Sequence, residues 1–175
     1  MSNISQKDLQ TAVVAALPRV WRFAMSLSGR ADMADDLSQN TCLRALERRH
    51  QVTDADGVSR WLMTICRSLW YNELRSQAVR KSQSLDTAEG GELVADILPV
   101  ETNIYLREVL TKVMTLPEAQ RSVVMLVLVE GYAYREAAEI LDVPIGTIMS
   151  RLSSARAKLG KTLGDGARPA HQEAH

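Results

Sequence analysis

The 175-residue chain predicts an all-α fold of two small helical domains joined by a flexible linker. Three observations predict it. Apolar residues recur at three- and four-residue spacing along most of the chain, and no stretch alternates long enough to demand a strand. The segment SLDTAEGGELVADILPVETN breaks that pattern with Gly90, Gly91, Pro99 and small polar residues. Charge divides along the same line: residues 1–84 hold 12 Lys/Arg against 8 Asp/Glu, while residues 85–103 hold five acids and no Lys/Arg. Residues 104–163 hold 8 basic against 6 acidic side chains, and the tail from Gly164 holds 1 against 2. A net charge of zero thus hides two basic segments flanking an acidic connector. The expected organisation is 1–84, a linker at 85–101, 102–163, and a disordered tail at 164–175.

Taken in order, Leu9, Val13, Ala16 and Leu17 share one face of a first helix. Pro18 is expected to restart it, placing Val20, Ala24 and Leu27 on the next face until Gly29 ends the segment. A third helix over about Ala31–Arg48 carries Leu37, Thr41 and Ala45 in a stripe, with Cys42 and Leu46 beside it. A fourth over Gly57–Lys81 buries Trp61, Leu62, Ile65, Leu69 and Leu74. Beyond the linker, a helix from Asn103 turns Tyr105, Leu106, Val109, Leu110 and Val113 inward. Pro117 suits the first position of the next helix, which Gly131 terminates. Then comes YREAAEILDVPIGTIMSRLSSARAK, from Tyr134 to Lys158: a short helix, a tight turn, and a longer helix. From Ile145 to Lys161 that second helix holds Arg151, Arg156, Lys158 and Lys161 and no acid. A helix-turn-helix of this charge offers its second helix to the DNA major groove, so the function points to transcription rather than catalysis.

Other classes find little support. The apolar runs Ala12–Leu17 and Val123–Val129 are far too short to cross a bilayer, and no membrane insertion is expected. Cys42, Cys66 and the histidines His50, His171 and His175 form no metal-ligand spacing, so no metal or other cofactor is expected. Reduced thiols in a cytoplasmic protein are the plain reading. No G-x-S-x-G, H-E-x-x-H, P-loop or dinucleotide fingerprint occurs, and the adjacent Asp35 and Asp36 point in different directions on a helix.

Two signatures, in this order, resemble the extracytoplasmic-function class of bacterial RNA polymerase sigma factors, in particular its general-stress group. ADDLSQNTCLRAL (Ala34–Leu46) with RWLMTICRSLWYNELR (Arg60–Arg75) is similar to sigma region two. LPEAQRSVVMLVLVEGYAYREAAEILDVPIGTIMSRLSSARAKL (Leu116–Leu159) is similar to sigma region four. The resemblance implies that Asp35, Asp36, Gln39 and Arg44 meet the clamp of core RNA polymerase; alone they would read as an ordinary solvated helix face. It implies capture of the promoter minus-ten strand by Arg60, Arg67, Ser68, Trp70, Tyr71, Asn72, Arg75 and Arg80. A basic surface interleaved with aromatic rings suits unpaired bases. Trp61 is assigned to the core, Trp70 and Tyr71 to the DNA side.

For the minus-thirty-five element the resemblance implies Arg135, Thr147, Met149, Ser150, Arg151, Ser153 and Ser154 at the groove, with Arg156 and Lys158 on phosphates. Ile148, Leu152, Ala155 and Leu159 pack inward. It further implies an anti-sigma partner. Relatives usually carry basic residues where this chain has Met149 and Ser154, and often Asn and Asp where it has Ser68 and Asn72. They commonly place a serine where Ala133 stands and a glycine where Asp142 stands. With alanine at the cap, the capping box loses about 1 kcal/mol. A stand-alone helix-turn-helix regulator and a sigma-like decoy for an anti-sigma protein are the competing readings. The first domain shows no βα alternation and no phosphoacceptor-type acidic pocket, which speaks against the regulator; Met149, Ser154 and the missing cap favour the decoy mildly, and the basic-aromatic helix at 60–81 speaks against it.

Overall fold

In a computed structural model, residues 5–52, 57–83 and 110–163 are described, and every regular element among them is helical. The expected acidic linker, the inward positions Tyr105, Leu106 and Val109, and the tail lie outside the described residues.

Helix α1 (Gln6–Ser28) starts where Ser5 Oγ accepts the Asp8 N–H at 3.1 Å. It ends at Gly29, whose left-handed φ of 72° a side chain would strain. Pro18 does not restart it; the helix runs through. Pro18 sits on the solvent side with Val14, which is 65% exposed, so the Val14 carbonyl that loses its partner faces water. The buried stripe of Leu9, Val13, Ala16, Val20, Phe23, Ala24 and Leu27 passes on the other side, and Leu17 falls outside it. Among the described residues the first unit therefore has three long helices, with a short 3₁₀ turn at Arg49–Gln51, where four helices were expected.

Helix α2 (Ala31–Glu47) buries Ala34, Leu37 and Ala45 together with two hydroxyls. Ser38 and Thr41 remain in the core because each donates back to a carbonyl one turn earlier, Ala34 at 2.7 Å and Leu37 at 2.6 Å. Cys42 is half-buried, but Leu46 is exposed rather than packed beside the stripe. Helix α3 (Val58–Gln83) fills the remaining side, with Val58, Leu62, Met63, Ile65, Cys66 and Trp70 inward. Desolvation pushes the buried Cys66 thiol up to about 12, so it stays protonated and unreactive.

Beyond the linker, residues 110–114 are helical, with Val113 buried. Pro117 takes the N-cap position of α4 (Glu118–Val124), one residue ahead of the expected place. A π-helical turn, Met125–Val129, follows directly and is closed by the Glu130 N–H on the Met125 carbonyl at 2.9 Å. Gly131, φ 76°, then releases the chain into α5 (Tyr134–Leu141) and α6 (Ile145–Leu163). The turn between them places Asp142 in the left-handed region, φ 51°, which Asp tolerates better than most residues. Ala137, Ile140, Ile148, Leu152 and Ala155 close the core, as the helical spacing predicts.

The two units pack face to face. α1 lies against α4 and the π turn, while α3 lies against α5.

Candidate nucleic-acid interface

Helical spacing gives α3 two faces. Leu62, Cys66 and Trp70, four residues apart, point into the core. Opposite them Arg60, Thr64, Arg67, Ser68, Tyr71 and Arg75 form one cationic and aromatic stripe, with Asn72 at its edge. Of the two tryptophans only Trp70 departs from the sequence assignment; Trp61 packs against the core, partly buried. Trp70 is 8% exposed with its indole N–H buried and unpartnered, whereas half-buried Trp61 lines a cleft. The i, i+4, i+8 register of Leu62 decides it, since Trp70 falls on that register and Trp61 does not. Arg80 stands off the stripe, paired to Glu73 at 2.9 Å.

Within the stripe, the Arg67 guanidinium lies 5.0 Å above the Tyr71 ring, and Arg75 donates to Asn72. Two open clefts follow it. One of about 300 Å³ is bounded by Gln51, Arg60, Trp61, Thr64 and Glu139. The other, of about 380 Å³, is bounded by Arg67, Ser68, Tyr71, Asn72, Arg75 and Asp142. In each, one wall is a carboxylate from the second unit.

On α2, Asp35, Asp36, Gln39 and Arg44 all face solvent, and the Trp21 indole N–H holds Asp35 Oδ1 at 2.7 Å. Leu43, 59% exposed, shares that face. Sequence reasoning missed it, although an apolar residue off the buried stripe was the available signal.

The groove residues of the helix-turn-helix separate into two groups. Met149, Ser150, Ser153 and Ser154 are exposed on α6, with Met149 at 50%. Thr147 and Arg151 are half-buried on the neighbouring stripe. There Arg151 acts electrostatically on Tyr71 and Glu118. Arg135, Arg156 and Lys158 are exposed. Ala133 cannot accept a cap bond, yet half of the box survives, because Glu136 Oε2 receives the Ala133 N–H at 2.9 Å.

The contacts between units are the part sequence reasoning did not find. Glu130, its side chain 2% exposed, accepts from Arg19 at 2.6 Å and Arg22 at 2.8 Å, while Arg19 also lies 5.2 Å over the Tyr132 ring. The Arg121 guanidinium enters the end of α1, donating to Ser26 O at 2.5 Å and Leu27 O at 3.1 Å. It also donates to Met114 O and Leu116 O, each at 3.2 Å. Burial lowers its pKa, opposed by the nearby Glu118. Arg60 faces Glu136 at 3.6 Å and Glu139 at 3.7 Å, and Arg67 faces Asp142 at 3.6 Å. Desolvation pushes the Glu118 carboxyl up, opposed by Arg121, Arg151, Tyr71 and Arg67.

Family models and relatives agree with this layout. Residues 12–80 match the model for sigma-70 region 2, and residues 106–159 match the model for sigma-70 region 4. The chain is 37% identical over 157 residues to the ECF RNA polymerase sigma factor EcfG of Rhodopseudomonas palustris, covering 89% of this chain and 85% of that one. It is 30% identical over 150 residues to the ECF sigma factor SigC of Mycobacterium tuberculosis, covering 86% and 80%. Among solved structures it resembles the sigma factor RpoE of Bartonella quintana in complex with the anti-sigma factor NepR. There the TM-score is 0.80 at 29% identity, over 92% of this chain and 99% of that chain.

Proposed function

Since the chain belongs to the extracytoplasmic-function sigma factors of the sigma-70 family, we propose a division of labour among its faces. As an alternative sigma factor it gives core RNA polymerase its promoter specificity; it is a transcription initiation factor rather than an enzyme. Residues 1–84 bind core polymerase and the minus-ten element, residues 102–163 bind the minus-thirty-five element, and 85–101 threads between them. The carboxylates of that connector stand in for RNA phosphates against a basic wall.

Polymerase meets the outward face of α2 through Asp35, Asp36, Gln39 and Arg44, with Leu43 adding apolar contact. The α3 stripe takes the melted minus-ten strand: Arg60, Arg67 and Arg75 on phosphates, Tyr71 stacking on a base, and Ser68 and Asn72 on base edges. Trp70 acts from beneath, as a packed support rather than a stacking platform. In the second unit Arg135, Thr147, Met149, Ser150, Arg151, Ser153 and Ser154 read the minus-thirty-five groove, and Arg156 and Lys158 hold phosphates. An anti-sigma protein controls the chain, in keeping with the complex in which the Bartonella sigma factor was solved. The site of action is the cytoplasm, where core polymerase works.

One observation carries this reading: a single chain bears an acid-free α6 face and, on α3, a cationic-aromatic stripe flanked by clefts. Reconstitution with bacterial core polymerase tests it. The chain should co-migrate with core and initiate selectively on a pool of promoter fragments. Arg151→Ala should lose selective initiation while retaining core binding. A folded chain that fails to bind core would overturn the proposal.

A further inference from the structure

We propose that α6 selects its minus-thirty-five element through thymine methyl groups, with Met149 and Ile145 as the side chains that recognise them. The inference rests on the assignment of α6 to the major groove. It deepens that assignment by naming the base-pair chemistry this helix selects.

Ile145 and Met149 lie four residues apart and so share one side of α6, where they are 45% and 50% exposed. Both stand at the N-terminal end, the part of a recognition helix that comes nearest to base edges. The residues next to them round the exposed side are Gly146, Ser150, Ser153 and Ala157, with no long side chain among them. A Cβ at Gly146 would meet nothing within 4 Å. So slight a face lets the helix backbone sink toward the groove floor, and Ile145 and Met149 then form the ridge along it.

In the major groove guanine is matched by Arg or Lys, adenine by Asn or Gln, cytosine by Asp or Glu, and the thymine methyl by an apolar side chain. From Ile145 to Ser154 the helix carries no Lys, Asn, Gln, Asp or Glu. The arginine of this stretch, Arg151, is half-buried on the opposite flank, where it acts on Tyr71 and Glu118. Arg135 stands on α5. Beneath the ridge, therefore, the apolar match is the one on offer. Ser150 supports it, because its hydroxyl donates to Thr147 O at 3.1 Å and keeps lone pairs for an incoming donor. The amino group of adenine, paired to the contacted thymine, is such a donor. Guanine presents acceptors instead, and cytosine presents a donor but no methyl.

The test uses the full chain with core RNA polymerase and the promoter fragment on which it initiates best, its upstream element mapped by footprinting. Each thymine of that element, on either strand, is replaced singly by deoxyuridine, which removes the methyl group and keeps the base pairing. In competition against the unmodified fragment, the parent should lose about fourfold at the positions beneath the ridge, the effect of one methyl group withdrawn from water. Ile145→Ala with Met149→Ala should bind the thymine and deoxyuridine forms equally there, with helix content unchanged by circular dichroism. An upstream element of G·C pairs alone, deoxyuridine tolerated by the parent at every position, or an undiminished loss in the double variant would overturn methyl readout. Arg156→Ala with Lys158→Ala tests the underlying assignment separately. Loss of these phosphate contacts should weaken binding evenly across sequences. Unchanged binding would remove α6 from the groove, whatever the deoxyuridine series shows.

Discussion

Replacing Arg121 by Met should cost more stability than any conservative surface change. The arginine is 9% exposed, and its guanidinium donates to four carbonyls. Two of these, Ser26 and Leu27, belong to the last turn of α1, where helical carbonyls lack partners of their own. Met fills similar volume but donates nothing, so these acceptors stay buried without their bonds. A buried acceptor left short costs about 1–3 kcal/mol. Relief from desolvating a cation, visible in the lowered Arg121 pKa, returns part of that. A net loss of about 3–5 kcal/mol follows from four carbonyls left short, less that relief. For a chain of this size that lowers Tm by about 10 °C.

Thermal unfolding followed by circular dichroism measures the loss. Because half of the bonds cross between units, the Met variant should also melt less cooperatively. Arg121→Lys keeps the charge but lacks the planar fork, and should recover little. A Met variant within about 1 kcal/mol of the parent, or a Lys variant as stable as the parent, would refute the reasoning.

Three further outcomes follow from local geometry. Gly29→Ala should cost about 1–2 kcal/mol, since a Cβ there has left-handed φ and stands 3.4 Å from Arg121 Nη2; urea denaturation reads it. Ala133→Ser should gain about 0.5–1 kcal/mol by completing the box that Glu136 half forms, seen as a raised urea midpoint with unchanged slope. Glu118 has its folded pKa raised by desolvation, so its protonated form favours the folded state. That contribution is fully present below the ordinary value of 4.5 and fades as pH rises through the raised folded value. Glu118→Gln should flatten the dependence of Tm on pH over that window. A parallel pH profile in the variant would discard the assignment.

Local signals carried most of the fold. Gly29, Gly131 and the turn at Asp142 ended helices where their backbone angles required it, and the α6 stripe of Ile148, Leu152 and Ala155 packed inward as spaced. Pro18 misled because a proline on the solvent side can be carried within one continuous helix, and sequence does not show which side is wet. Trp70 misled because its place beside Tyr71 and the arginines hid that it shares the register of Leu62 and Cys66, whereas Trp61 does pack against the core. The contacts between units lay beyond reach for a different reason. Arg19 and Glu130 are 111 residues apart and Arg121 and Ser26 are 95 apart, so neither pair leaves a periodic trace.

The π turn at Met125–Val129 bears on which insertions and deletions this lineage can accept. A π turn holds one residue more than an α turn, and a residue added to a helix rotates everything after it by about 100°. Val123, Val124 and Leu126 can therefore face the core while Glu130, only a few positions on, is aimed sideways at α1. Deleting one residue from the turn would leave the earlier core positions in phase and swing the carboxylate away from both arginines. One codon here thus sets the angular offset between two otherwise regular helical surfaces. Related chains that differ in length at this turn should differ first in how their two units meet, and only second in how either unit folds.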